Sequence, residues 1–149
     1  MAKNRKIYIG SDHAGFKLKE ELKKYLKTLG FACQDLGNTK FEPLDDYPDY
    51  ATKVARQVVK NKGANGILIC GSGVGMCMAA NKVRGARAVN ASDEKIAQAS
   101  REHNQANILC FGQSYIKPAL AKKITKVWLN TPYSTEDRHV RRVIKMNKL

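Results

Sequence analysis

Residues 66–75 read Gly-Ile-Leu-Ile-Cys-Gly-Ser-Gly-Val-Gly and run on into Met76-Cys77-Met78-Ala79-Ala80-Asn81-Lys82. The short apolar run, rich in branched side chains, predicts a strand buried on both faces. Gly71, Gly73 and Gly75 then remove side chains where the backbone must turn sharply and approach another group closely. The run from Val74 predicts a buried helix whose free N-terminal N–H groups face the strand end, an arrangement that favours anions. Cys70 stands at the mouth of this turn. The spacing therefore sets a thiol, its thiolate favoured by the helix N-terminus, beside a cradle for an oxyanion or phosphate. Packing alone also produces Gly-rich turns, and a cysteine at a strand end is often a small core residue. A dinucleotide fingerprint needs Gly-x-Gly-x-x-Gly, and here the third glycine comes one residue early. A Cys-x5-Arg phosphatase loop needs arginine where this chain has Met76.

Other reactive side chains follow strands or close helices. Ser11, Asp12 and His13 come directly after the apolar run Lys6–Gly10. His103 and Asn104 end a helical stretch, and the spacing from Ile96 puts His103 on the packed face of that helix. A histidine there is more often a satisfied core residue than a reactive one. In the stretch 136–149, Arg138, Arg141, Arg142 and Lys145 share one helical face, with Val140, Val143 and Ile144 opposite. Guanidinium forks match phosphate in two-point contacts, although a docked helix with a solvated basic face reads the same way.

The elements that must position these groups alternate strand and helix. Strands are expected at Lys6–Gly10, Phe31–Leu36, Gly66–Cys70, Ala86–Val89 and Ile108–Phe111. Helical stripes follow: Leu18, Leu22, Leu26 and Leu29; then Ala51, Val54, Ala55, Val58 and Val59; and finally Leu120, Ile124, Val127 and Trp128. This alternation predicts a parallel sheet covered on both faces, with ligands at the carboxyl ends of the strands. Asp12 and His13 should there meet the Cys70–Gly75 turn.

Composition narrows the function classes. A chain of 149 residues, 43% apolar and 27% charged, predicts one domain spanning 1–149 with a real core. No apolar run approaches a membrane span, and the basic N-terminus lacks the apolar core of a signal peptide, so no membrane partner and a cytoplasmic location are expected. Cys33, Cys70, Cys77 and Cys110 show no zinc or CxxC spacing, which predicts reduced thiols and no metal. The net charge of +14 invites a nucleic-acid reading. However, Lys17, Lys19, Lys23, Lys24 and Lys27 belong to one solvated helical segment, and no base-stacking motif accompanies them. An anionic small substrate explains part of the charge.

Five segments in register resemble the ribose-5-phosphate isomerase B family. They are Gly10-Ser11-Asp12-His13-Ala14-Gly15-Phe16, Asp46-Tyr47-Pro48-Asp49-Tyr50, Cys70 to Gly75 with Ala80-Asn81-Lys82, Ser100-Arg101-Glu102-His103-Asn104, and Arg138-His139-Val140-Arg141-Arg142-Val143. The resemblance implies a Rossmann-like, five-stranded parallel sheet in a three-layer αβα sandwich, its C-terminal helix exchanged at a dimer interface. It implies cofactor-free interconversion of ribose 5-phosphate and ribulose 5-phosphate in the pentose phosphate pathway. Cys70 matches the family's base and His103 its ring-opening residue. Ser72, with the N–H groups of Gly71, Gly73 and Gly75, matches the enediolate hole. Asp12, His13, Tyr47 and Asn104 match sugar or phosphate contacts, and Arg138 and Arg142 the phosphate clamp. Family members are homodimers, or dimers of dimers, with shared active sites.

Many members of the resembled family carry Gly-Gly before the Arg-His of the last segment, where this chain has Glu136-Asp137. These carboxylates could pair with Arg138, but a helix-start role is the expected one. Rival readings are an isomerase of a six-carbon phosphosugar (allose 6-phosphate or galactose 6-phosphate), a non-catalytic phosphosugar-binding module, and a metal enzyme using His13, Cys70, His103 and Cys110.

Overall fold

A computed structural model describes residues 4–149. The strands are β1 (Lys6–Ser11), β2 (Ala32–Asp35), β3 (Asn65–Cys70), β4 (Ala88–Asn90) and β5 (Ile108–Gly112). The helices are α1 (Phe16–Thr28), α2 (Tyr47–Lys60), α3 (Val74–Ala80), α4 (Glu94–Asn104), α5 (Pro118–Asn130) and α6 (Asp137–Asn147), with a short 3-10 turn at His13–Gly15. All strands run parallel in the order β2-β1-β3-β5-β4. Among the described residues no helix is long and apolar enough to cross a membrane.

Period-two alternation splits the core into two layers. Ile7, Ile9, Ile67, Ile69, Leu109 and Phe111 face α1, α4 and α5, meeting Leu22, Ala97, Ile124 and Trp128. Tyr8, Leu68, Cys70, Ile108 and Cys110 face α2 and α3, meeting Val54, Ala55, Met76 and Ala80. The expected three-layer α/β arrangement is therefore present, and Cys70 points toward the α2/α3 side. β1 leads into α1 on one face and β3 into α3 on the other. The sheet thus opens a crevice between their carboxyl ends, where open α/β sheets bind ligands.

Several local readings differ from the structure. β4 starts at Ala88 rather than Ala86, because the Asn107 side chain occupies the Arg87 N–H (2.7 Å) and the Gly85 carbonyl (3.0 Å). Val59, Leu120 and Ile144 are exposed rather than in their stripes, and α3 shows Val74 and Met78 to solvent. Lys19 is wholly buried, not solvated: its Nζ binds Asp35 at 2.7 Å and the Asn38 carbonyl. Ile96 points outward at 48% exposure, so the packed face of α4 is Ala97, Ser100 and Arg101, and His103 is exposed. The outer side of β4 is capped at its first residue, chiefly by Asn81. Asn81 Nδ2 donates to the Ala88 carbonyl (3.0 Å), and its Oδ1 accepts the Ala88 N–H (2.7 Å).

Arg101 ties α4 to the segment entering α6. It is buried between the rings of Trp128 and Tyr133, each 4.5 Å from its guanidinium carbon. Its Nη1 donates to the Ala106 carbonyl (2.7 Å) and the Tyr133 hydroxyl (2.9 Å). Burial lowers its pKa to about 10, which leaves it charged at neutral pH. Arg101→Ala should cost on the order of 3 kcal/mol of stability, through lost desolvated cation–π contact and hydrogen bonds. Arg101→Lys should recover little of it, since a point charge cannot fill the slot between two rings. Chemical denaturation checks this, and an unmoved midpoint in Arg101→Ala would disprove it.

Candidate active site

The carboxyl end of β1 carries a built turn. Asp12 is buried, and its Oδ1 accepts the Gly15 N–H at 3.1 Å. A Cβ on Gly15 would lie 2.3 Å from the Ile69 carbonyl oxygen, so only glycine lets this turn press against β3. Burial raises the Asp12 carboxyl above the ordinary aspartate range, against the opposing Gly15 hydrogen bond and the nearby His13. His13 is held by Asp45: one carboxylate oxygen accepts its backbone N–H (3.0 Å) and lies 2.7 Å from its Nδ1. Asp45 escaped the sequence reading because it sits in a polar loop far along the chain, with no periodicity to flag it.

One strand over, Cys70 closes β3 at 4% exposure, and the Gly73 N–H donates to its Sγ at 3.1 Å. Gly73 has φ +80, and a Cβ there would meet Phe111, Asn90 and Gly112 within 3 Å. The left-handed turn brings the start of α3 up to the sulfur. Ser72 is exposed; its Oγ accepts the Val74 N–H (3.2 Å) and its carbonyl accepts Asn90 Nδ2 (3.2 Å). With Gly73 and Val74 so engaged, Gly71, Ser72 and Gly75 are the loop's N–H groups left for a ligand. Gly75 lies under the Tyr47 ring, at 2.7 Å from a built Cβ, and Gly71 lies 3.6 Å from the Ala14 Cβ by the same measure. Asp12, His13, Tyr47, Cys70 and the Gly71–Gly75 loop therefore lie together at the adjoining carboxyl ends of β1 and β3.

The remaining thiols differ sharply. The Cys77 pKa falls to about 7, chiefly through a hydrogen bond with the Cys110 side chain that outweighs its burial. Burial drives Cys110 the other way and pushes Cys33 up to about 11. All four cysteines are free thiols.

His103, Asn104, Arg138 and Arg142 lie elsewhere. In register, Ile108 stands beside Gly66, and Cys70 is four residues further along β3, ~13 Å at strand rise. α4 runs back from the carboxyl edge and ends just before β5 begins, so His103 and Asn104 sit at the amino edge. α6 packs on α4, and the exposed His103 ring stacks on His139 (centroids 4.5 Å apart, planes at 11°). Burial, then the neighbouring His103 and Arg138, lower the His139 pKa. Glu136 stands at the N-cap position of α6, but its side chain makes no cap hydrogen bond and instead accepts from Arg138 Nε at 2.7 Å, the pairing that the helix-start expectation set aside. The imagined metal set of His13, Cys70, His103 and Cys110 is not assembled. Asp12, His13 and Asp45 bring ligand-type atoms within 4.8 Å, but Asp45 is taken up by His13 and Asp12 by Gly15.

A twisted parallel sheet with a thiol and an anion-binding turn at its carboxyl edge defines an α/β protein built for phosphorylated small molecules. Comparison narrows this. The sequence model described as Ribose/Galactose Isomerase matches residues 7–146. A probable ribose-5-phosphate isomerase B of Mycoplasma pneumoniae is 43% identical over 98% of this chain and 95% of its own length. Ribose-5-phosphate isomerase B of Escherichia coli is 45% identical over 93% and 92%. The crystal structure of a ribose 5-phosphate isomerase from Thermotoga maritima superposes with TM-score 0.92 at 43% identity, covering 97% of this chain and 99% of that one. The Mycoplasma genitalium enzyme with bound ribulose-5-phosphate gives TM-score 0.92 at 43% identity, covering 96% and 94%. The chain belongs to the ribose/galactose isomerase family.

Proposed function

We propose that the chain, acting as one isomerase domain over 1–149, interconverts ribose 5-phosphate and ribulose 5-phosphate in the cytoplasm, as a step of the pentose phosphate pathway. One observation carries the reading: Cys70 Sγ ends a buried strand with a backbone N–H on it and further N–H groups beside it. In the open-chain aldose, the Cys70 thiolate takes the C2 proton, giving a cis-enediolate. Moving a proton from O2 to O1 and returning the abstracted proton to C1 completes the ketose. The Ser72 hydroxyl and the N–H groups of Gly71, Ser72 and Gly75 stabilise the charge that develops on oxygen. Gly73 shapes the turn and is not a donor to substrate.

Ring opening needs a proton moved between the ring oxygen and the anomeric hydroxyl, the role His103 has by resemblance. Because one chain holds His103 and Cys70 at opposite ends of its sheet, a second copy supplies His103, Asn104, Arg138 and Arg142 to each site. His13 and the two arginines then take the phosphate, with Tyr47 and Asp12 against the sugar. The working unit is a homodimer with shared sites.

Purified protein with EDTA present is expected to convert ribose 5-phosphate to the ketose. Turnover of allose 6-phosphate or galactose 6-phosphate alone would move the substrate to six carbons. Inertness toward all three would leave a phosphosugar-binding module.

A further inference from the structure

The loop joining β2 to α2 carries a carboxylate that the reaction does not require and that contacts no substrate in the scheme above. Asp45 has a side chain only 4% exposed, and both its oxygens are used. Oδ1 faces the His13 backbone N–H and Nδ1, and Oδ2 accepts Asn38 Nδ2 at 3.3 Å. The Asn38 carbonyl in turn binds the buried Lys19 Nζ, and the Tyr50 hydroxyl of α2 faces Asp45. We propose that Asp45 is a positioning residue: it fixes the His13 imidazole as a cation whose Nε2–H is presented to the substrate's phosphate.

A carboxylate only accepts hydrogen bonds, so the His13 Nδ1 must carry a hydrogen. A neutral ring in that tautomer would turn a lone pair at Nε2 toward the phosphate oxygens, which repel it. Only the imidazolium donates from both nitrogens at once, and charge-assisted bonds to phosphate are the strong ones. The charged groups facing the ring are Asp45 from the loop and Asp12 from its own turn; Phe41 lies edge-on, 6.4 Å between centroids, and leans in turn on Phe16. The Asp45 hydrogen bond is the main cause that raises the His13 pKa, working against partial desolvation, with both carboxylate charges adding to it. Burial alone would raise Asp45, but the hydrogen bonds from His13 and Asn38 outweigh it, and its pKa falls. The sign follows: a raised histidine pKa keeps the cation below it and loses it as pH climbs through it. Asp45 thus extends the grip on phosphate toward alkaline pH.

The proposal rests on the isomerase reading for the source of the phosphate, yet its test does not need turnover. The chain has 3 histidines, so their ring protons can be titrated individually by NMR, with His13 assigned by its loss in His13→Gln. Inorganic phosphate serves as the probe, its binding followed on the same signals. In Asp45→Asn the His13 midpoint should drop, and phosphate affinity should weaken about tenfold near pH 8 but little near pH 6, as loss of a charged hydrogen bond requires. Asp45→Glu should recover part of both, while kcat for ribose 5-phosphate stays within about twofold and KM rises. An unmoved His13 midpoint, or an equal weakening at both pH values, would overturn the proposal. Asp45-dependent phosphate binding in a chain inert toward ribose 5-phosphate would uphold the pair and sink the isomerase reading; an active isomerase indifferent to Asp45 would do the reverse.

Discussion

Cys70→Ala is expected to lower turnover of ribose 5-phosphate by ~10²–10⁴-fold, the range a positioned proton-transfer group supplies. The substitution removes one buried atom and leaves the strand, the glycine loop and the phosphate contacts in place. kcat and kcat/KM should therefore fall together, as when an interaction made only in the transition state is lost. The rival thiol is close by, since Cys77 lies in α3 directly beyond the loop and has a pKa of about 7. Its sulfur is turned away from the crevice, toward the Ala88 carbonyl at 3.4 Å. Steady-state assays of Cys70→Ala and Cys77→Ala side by side settle the choice. A loss of less than about tenfold in the first, or a larger loss in the second, would move the base away from Cys70.

Mixing two inactive variants is expected to restore activity. Cys70→Ala and His103→Ala each damage a different part of the site, and in a shared-site dimer those parts come from different copies. A heterodimer of the two then has one site with both residues intact and one with neither. Random pairing makes half the dimers mixed, so co-refolded protein should recover about a quarter of wild-type turnover. Separately purified and unmixed, each should stay low. No recovery after verified subunit exchange would mean that both residues serve the site from a single copy, against the sheet topology. This distance argument was available in principle from the sequence: a helix returning from a strand's carboxyl end finishes at the amino edge.

What the chain disclosed in advance was local. The β3–Gly71–Gly75–α3 unit was legible because its apolar run, alternate glycines and following helix are contiguous, and the structure keeps all three. β1, β3 and β5 were legible for the same reason, each a run buried along nearly its whole length. The face of α4 was misread because its period was anchored on Ile96, an exposed apolar residue of the kind that soluble surfaces carry freely. Lys19 looked solvated because its partners, Asp35 and the Asn38 carbonyl, reach it only through the β1–β2 pairing. The Asp45–His13 pair was invisible for a similar reason, since a polar loop gives no signal of where it folds back. Strand order was also beyond reach, because β4 pairs with β5 at the outside of the sheet although it precedes it in the chain.

The amide of Asn81 has a bearing on how copies of this protein behave when crowded. An outermost strand normally shows a row of open donors and acceptors that another chain can extend, the first step toward fibrous aggregates. Here the outward N–H and C=O of Ala88, at the head of a strand only 3 residues long, are already matched by the Asn81 amide, and the Cys77 thiol reaches the same carbonyl. A strand added at that end would have to displace these bonds first. The head of this border is thus guarded by two uncharged side chains, the Asn81 amide and the Cys77 thiol, rather than by charge.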